Sequence, residues 1–296
     1  MNKKLAEILA GFIPHKMTRN RWRGIFRYGI FRAVKLIWQL RCEKTLPSYY
    51  LAICAIAKNE GAYFKEWIEW HKDLGVEKFY IYDNESSDNT KEILVPYVEL
   101  GLVEYRLFPG AKQQLPAYDD CLEKHRLNVR WIAFIDLDEF IVPIKDKTIP
   151  EFLKQFEKFS VVEINWLIYG SGGAKEKTEG TVMERFKHHS IPNHVLNRHV
   201  KSIVNPRRVF SFTGCHEAAR LSGCAADSHG KRIKKHFHNR EPQQEIIRIN
   251  HYAVKSYEEF LEKRARGRGR SLVPRKMHYF DRFDLNDTKE TGDTAL

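Results

Sequence analysis

Residues 131–143 read Trp-Ile-Ala-Phe-Ile-Asp-Leu-Asp-Glu-Phe-Ile-Val-Pro: an apolar run stops at three carboxylates, Asp136, Asp138 and Glu139, and then resumes. The lead-in predicts a buried strand over 131–135, and strands buried on both faces belong to parallel sheets covered by helices. Alternate side chains of extended backbone share a face, so Asp136 and Asp138 can point the same way and share one hard divalent cation. The plainer reading of an Asp-x-Asp step is a strand-to-turn exit with solvated acids. Here Phe-Ile-Val follows, which places the acids inside buried material, where charge needs a partner and a metal is a good one.

The same pattern repeats upstream. Leu51–Ala57, 78–82 and 103–108 are short apolar runs suited to buried strands, and helical spacing covers 62–74, about 90–100 and 118–127. Gly75 and Gly101 stand at helix stop positions. Strands alternating with helices predict an α/β fold with a mostly parallel sheet, and in such sheets ligands bind beyond the carboxyl ends of the strands. Three polar stretches, 58–61, 83–89 and 136–139, fall at those ends, so the topology gathers them at one edge. Past residue 150 the order is less regular: a helix over 150–159, a strand over 161–169, a glycine loop at 170–173, short strands and turns over 201–250, and a helix over 256–264. This divides the chain into a basic segment 1–46, a catalytic-size domain 47–270 and a tail 271–296.

With 43% hydrophobic residues, 296 residues suffice for a sizeable core. The net charge of +12 is uneven: residues 1–44 hold eleven Lys or Arg against Glu7 and Glu43, a balance of +9, and the other 252 residues carry +3. Basic character thus belongs to one segment, and nucleic acid is not the expected partner. Trp22, Ile25, Phe26, Ile30, Ala33, Val34, Ile37 and Trp38 recur at helical spacing, with Arg23, Arg27, Arg32, Lys35 and Arg41 between them. The charges are too frequent for a spanning helix and suit one lying on an anionic membrane surface; the alternative is a helix packed on the protein with its charges in water. Five cysteines without paired spacing argue for a reducing compartment, hence a cytoplasmic location, peripheral on the inner face of the membrane. Cys215 and Cys224, with His216, His229, His236 and His238 nearby, lack close zinc-ligand spacing.

Asp83-Asn84-Glu85-Ser86-Ser87-Asp88-Asn89-Thr90 after an apolar strand resembles the second-strand signature of family 2-like glycosyltransferases. Ala57-Lys58-Asn59-Glu60, Ala117-Tyr118-Asp119-Asp120-Cys121, Phe134-Ile135-Asp136-Leu137-Asp138-Glu139-Phe140, Trp166 with Gly170-Ser171, and His251-Tyr252-Ala253-Val254-Lys255-Ser256 with Glu259-Phe260 stand in the order typical of glycosyltransferase family 92 and its bacterial relatives. The resemblance covers about residues 50–270. It implies a GT-A fold, a UDP-sugar donor, a Mn²⁺ or Mg²⁺ ion, and transfer of a hexose to a glycan or lipid-linked glycan of lipopolysaccharide or capsule type, expected to be inverting. A cation would offset charge on the departing diphosphate.

On that resemblance Asp138 is the leading metal ligand, with Asp136 at the metal or the donor ribose, and His251 a third ligand or else a structural histidine. Ala57, Asn59 and Glu60 fall where such enzymes contact the base, and Asp83 where a carboxylate holds base or ribose. Asp88 reads equally as a helix cap. Tyr118 and Asp119 are expected near the donor, and Lys255, Lys263, Arg264 and Arg266 at the diphosphate or on a solvated basic face. In such enzymes the catalytic base lies several tens of residues after the metal motif, and the resemblance therefore implies Glu217, ahead of Asp227 and Glu163. Trp166 and the 170–173 loop are candidates for the acceptor side. A metal-dependent nucleotidyltransferase would use similar acids, but 58–61 lacks the glycine density of its phosphate loop. A non-catalytic membrane or nucleic-acid binder is favoured only by the pI and the arginines of 264–270.

Overall fold

The computed structural model describes residues 8–13, 22, 25, 26, 29–267 and 275–290, apart from the side chains of Arg32 and Arg41. Much of the basic segment 1–46, Arg268 and Arg270 of the arginine cluster, and part of the tail 271–296 lie outside the described residues. Helix α1 (Ile30–Cys42) precedes strand β1 (Tyr49–Ala57). There follow α2 (Gly61–Asp73), β2 (Lys78–Asp83), α3 (Thr90–Glu99), β3 (Val103–Leu107), α4 (Gln114–His125) and β4 (Val129–Phe134). The four strands pair in parallel in the order β3-β2-β1-β4. Every residue of β1 from Leu51 to Ala57 is buried, and the side chains separate by alternation. Ile53, Ala55 and Ala57 join Phe64, Trp67 and Ile68 of α2 in one core, while Ala52, Cys54 and Ile56 join Ala117, Tyr118 and Cys121 of α4 in the other. Helix α4 begins four residues before the predicted start because Pro116 falls in its first turn, where a missing N–H costs nothing.

The second half adds β5 (Glu139–Pro143), α5 (Ile149–Leu153), β6 (Val161–Ile168), α6 (Val182–Arg185), β7 (His188–His189), β8 (Val200–Val204), β9 (Val209–Gly214), β10 (Glu217–Arg220), β11 (Ala225–Ala226), β12 (Ile247–His251), α7 (Tyr257–Ala265), α8 (His278–Phe283) and β13 (Thr288–Lys289). The helix predicted over 150–159 is one capped turn, with Thr148 and Glu151 forming a capping box, followed by a 3-10 turn. The main sheet continues from β4 through β8, β6 and β12 to β5. Strand β8 is antiparallel to both neighbours and β5 to β12, whereas β6 and β12 are parallel. The expected GT-A architecture, a mixed α/β layer with acids at the carboxyl end of its fourth strand, is thus present. Strands β9 and β10 form a separate hairpin.

Two registers decide what meets the acids. Pairing of β12 with β5 sets His251 opposite Glu139. Pairing of β8 with β4 sets Ser202 opposite Phe134, so Lys201 arrives just beyond the strand end, where the chain turns into Asp136. No helix among the described residues is long and apolar enough to cross a membrane.

Candidate active site

Between β4 and β5 the chain makes a tight turn. The Glu139 N–H donates to the Asp136 carbonyl at 3.1 Å, and the Asp136 N–H donates to Glu139 Oε2 at 3.1 Å. Two lysines from distant elements meet the three acids, partners that the sequence reading did not include. Lys201 Nζ, on a side chain 1% exposed, lies 2.7 Å from Asp136 Oδ2 and 3.3 Å from Glu139 Oε2. Lys263 pairs with Asp138 and donates to the Ala253 carbonyl at 2.6 Å. Burial alone would raise the Asp138 carboxyl; Lys263, then His251, outweigh it and hold it well below the usual carboxylate range. Burial would likewise lower Lys201, but Asp136 and Glu139 hold its ammonium well above the ordinary range.

Lys263 is aimed by the helix that bears it. Ser256 caps α7 in a capping box with Glu259, and Glu259 and Lys263, four residues apart, both turn inward. Glu259 accepts from the Tyr63 hydroxyl at 2.9 Å and from Arg185 Nη2 at 2.6 Å, which fixes that face. His251 Nε2 is 3.7 Å from Asp138 Oδ2. Asp138, Glu139 and His251 each offer a donor atom, all within 4.8 Å of one another. Glu139 Oε1 and His251 Nδ1 are buried without a hydrogen-bond partner. Two carboxylates and an imidazole with free donor capacity fit Mn²⁺ or Mg²⁺. The structure therefore groups Glu139 with Asp138 and His251, while Asp136 is tied to Lys201 and accepts from Gln114 Nε2 at 2.9 Å.

These residues open onto a cleft of about 630 Å³ at the carboxyl ends of β1, β2 and β4. Of the sequence candidates, Ala57, Glu60, Asp136, Asp138, His251, Lys263, Arg266 and Trp166 line it. Others support the wall from behind. Asn59, at φ 52°, accepts from the Ser87 N–H through Oδ1 at 2.7 Å, next to the Glu60–Arg266 pair of the lining. Asp83 accepts from the Ser86 N–H at 2.9 Å and from the Tyr105 hydroxyl at 2.6 Å, so its carboxylate organises the loop and is not among the cleft-lining groups. Asp88 ties two loops, accepting from the Gly61 and Thr90 N–H groups. Tyr118 is buried and reaches Asp136 at 3.4 Å. Asp119 is not among the cleft-lining residues and accepts from the Phe212 N–H at 2.8 Å. Lys255 is buried with its ammonium 4.1 Å from the centre of the Tyr63 ring, and burial lowers its pKa.

The hairpin contributes its turn, Cys215 and His216, to the cleft. Glu217 itself lines a separate cavity of about 50 Å³ with Glu163, and its carboxylate lies 2.8 Å from His236 Nε2. Asp227 accepts from the His229 and Lys231 N–H groups of its own turn. Trp166 is sandwiched between His199 and His251, ring centroids at 4.9 and 4.2 Å, and its indole N–H has no partner. The 170–173 loop packs instead on the C-terminal segment, where the Ser171 N–H donates to Asp284 at 2.6 Å. Lys201, Gln114, Arg275 and Tyr279 complete the site without having been marked by any motif; for Lys201 the available signal was a lysine inside an otherwise apolar strand, Val-Lys-Ser-Ile-Val.

Comparison with known proteins places the chain. It is 26% identical over 236 residues to a glycosyltransferase family 92 protein of Ricinus communis, covering 76% of this chain and 38% of that protein. It is also 26% identical over 205 residues to a galactan beta-1,4-galactosyltransferase of Arabidopsis thaliana, covering 62% and 40% respectively. The chain thus spans less than half the length of these curated relatives. Among solved structures, S. aureus TarS 1-349 in complex with UDP-GlcNAc aligns at a TM-score of 0.38 and 13% identity, over 64% of this chain and 61% of that one. The family 92 pattern itself matches residues 49–290, from the first residue of β1 to just past β13, and the chain belongs to glycosyltransferase family 92.

Proposed function

We propose that this chain transfers a hexosyl group, galactosyl by analogy with its named relatives, from a UDP-sugar to a glycan hydroxyl. The observation that carries the reading is the meeting of Asp138, Glu139 and His251 with Lys263, Arg266 and Lys58 on one cleft whose volume suits a nucleotide sugar. A divalent cation held by Asp138, Glu139 and His251 would supply neutralisation of the leaving diphosphate. The protein's own part is positioning and charge. Lys263 and Arg266 line the cleft in pairs with Asp138 and Glu60, Lys201 bridges and orients Asp136 and Glu139, and Gln114 fixes the Asp136 rotamer. Trp166 borders the cleft but is covered by His199 and His251, so its part is to hold those two imidazoles in place. Lipid-linked glycans of lipopolysaccharide or capsule type are the proposed acceptors, and a galactan chain is the class named for the Arabidopsis relative.

A panel of UDP-sugars tests this without an acceptor, since slow donor hydrolysis needs only water. UDP-galactose with Mn²⁺ should be turned over and a chelator should stop it. Asp138→Asn should lower that rate by about a hundredfold or more with unchanged circular dichroism. Stabilisation by RNA or DNA but not by UDP with Mn²⁺ would overturn the reading, and turnover of nucleoside triphosphates alone would favour a nucleotidyltransferase.

A further inference from the structure

The apolar residues of α1 do not form one stripe. Ala33, Leu36, Ile37 and Leu40 face inward; the last three pack on Phe210, Ala219 and Leu221 of the β9–β10 hairpin. Phe31, Val34 and Trp38, at helical spacing on the other side, are 90%, 60% and 68% exposed. Phe12 nearby in sequence is 83% exposed. A single helix therefore satisfies its packing need and still presents two aromatic residues and a valine to solvent. That outward row lies in a segment whose charge balance is +9, while the rest of the chain carries +3.

We infer that the outer face of α1 docks on an anionic lipid surface, with Phe31, Val34 and Trp38 entering the interface and the excess positive charge of the segment supplying the attraction to the headgroups. Apolar insertion and cationic attraction are the two components that reversible membrane binding requires, and both occur here in one segment. The inner face gives the docking a consequence for the cleft. Because α1 is packed on the hairpin whose turn, Cys215 and His216, lines the cleft, the lipid plane is held at a fixed setting relative to the site. From Phe210 to Cys215 a strand extends roughly 17 Å, so the surface lies about one hairpin length from the cleft wall. The inference does not depend on which reaction the cleft performs.

The full chain is sedimented with vesicles of phosphatidylcholine alone and with vesicles containing about 30 mol% phosphatidylglycerol. It should bind the anionic vesicles at least about tenfold more tightly. Phe31→Ser, Val34→Ser and Trp38→Ser combined should reduce anionic binding by about tenfold or more, with hydrolysis of UDP-galactose in vesicle-free buffer unchanged. Trp38→Gln alone, at one exposed position, should give a smaller loss of the same sign and serves if the triple variant misfolds. Equal binding by these variants and the parent would overturn the inference, as would failure of the parent to bind. A parent dimer that the triple variant converts to monomer, without vesicle binding, would assign this face to a second copy of the chain.

Discussion

Lys201→Met isolates the ion cluster at the end of β4. The substitution keeps most of the side chain's length and removes its charge, leaving Asp136 and Glu139 without their shared partner. The two acids are not equivalent in what they lose. Asp136 is about one-third exposed and borders the cleft, so water can replace the ammonium. Glu139 is fully buried, and its Oε1 already lacks a hydrogen-bond partner. Burial pushes the Glu139 carboxyl well up against the pull of Lys201, so at a pH alkaline enough to ionise the remaining acid the removal of its partner costs about 3–5 kcal/mol, and at lower pH protonation relieves part of that cost. At roughly 2–4 °C per kcal/mol for a domain of this size, the melting temperature should fall by about 6–20 °C. Urea titration followed by tryptophan fluorescence measures the loss directly, and an unchanged slope would place it in the native state. Lys201→Met with Glu139→Gln should recover more than half of the deficit, since no buried charge then remains. A loss under about 1 kcal/mol, the scale of an exposed pair, or a double variant no better than the single, would refute the claim that Lys201 neutralises this turn.

Glu163 provides a pH test away from the cleft. Burial pushes its carboxyl up to about 7, against the opposing pull of Arg240. The native state therefore binds a proton that the unfolded chain releases at lower pH, so stability should decline as pH rises from about 5 to about 8; Glu163→Gln should flatten that decline in denaturation series, and an unaltered slope would place the titration elsewhere. Ser256→Ala removes the side-chain cap of α7, which accepts from the Glu259 N–H at 3.2 Å. It should cost about 1 kcal/mol of stability and weaken UDP binding by calorimetry through Lys263; loss of stability with unchanged UDP affinity would separate the cap from the site.

The first half of the fold was legible because β1, β2 and β4 are almost wholly buried apolar runs and the strands alternate with helices of clear spacing. Register carries the remainder. His251 could be picked from its motif, but its place opposite Glu139 depends on a late strand entering between two earlier ones. Lys201 was illegible for a related reason. Nothing local distinguishes a lysine in a short apolar strand from an edge-strand charge, and its meaning comes from an antiparallel pairing 65 residues away from Asp136. Counting residues from the acids points to Glu217, but chain distance does not say which cavity a hairpin residue faces. Helical spacing in the N-terminal segment coincides with α1 from Ile30 onward, but composition could not divide its apolar residues between a packed face and an open one.

Strand β12 follows every other strand of the main sheet in sequence, yet it sits inside that sheet and among the described residues is the strand that pairs with β5. Until residues 247–251 emerge from synthesis, β5 and one side of β6 are raw apolar edges, and such edges recruit other chains. A product ending before Ile247 would thus be prone to aggregate, besides lacking His251 and Lys263. The strand that closes the sheet is also the one that brings His251 to the acids, so any cation affinity of that cluster would report closure of the sheet.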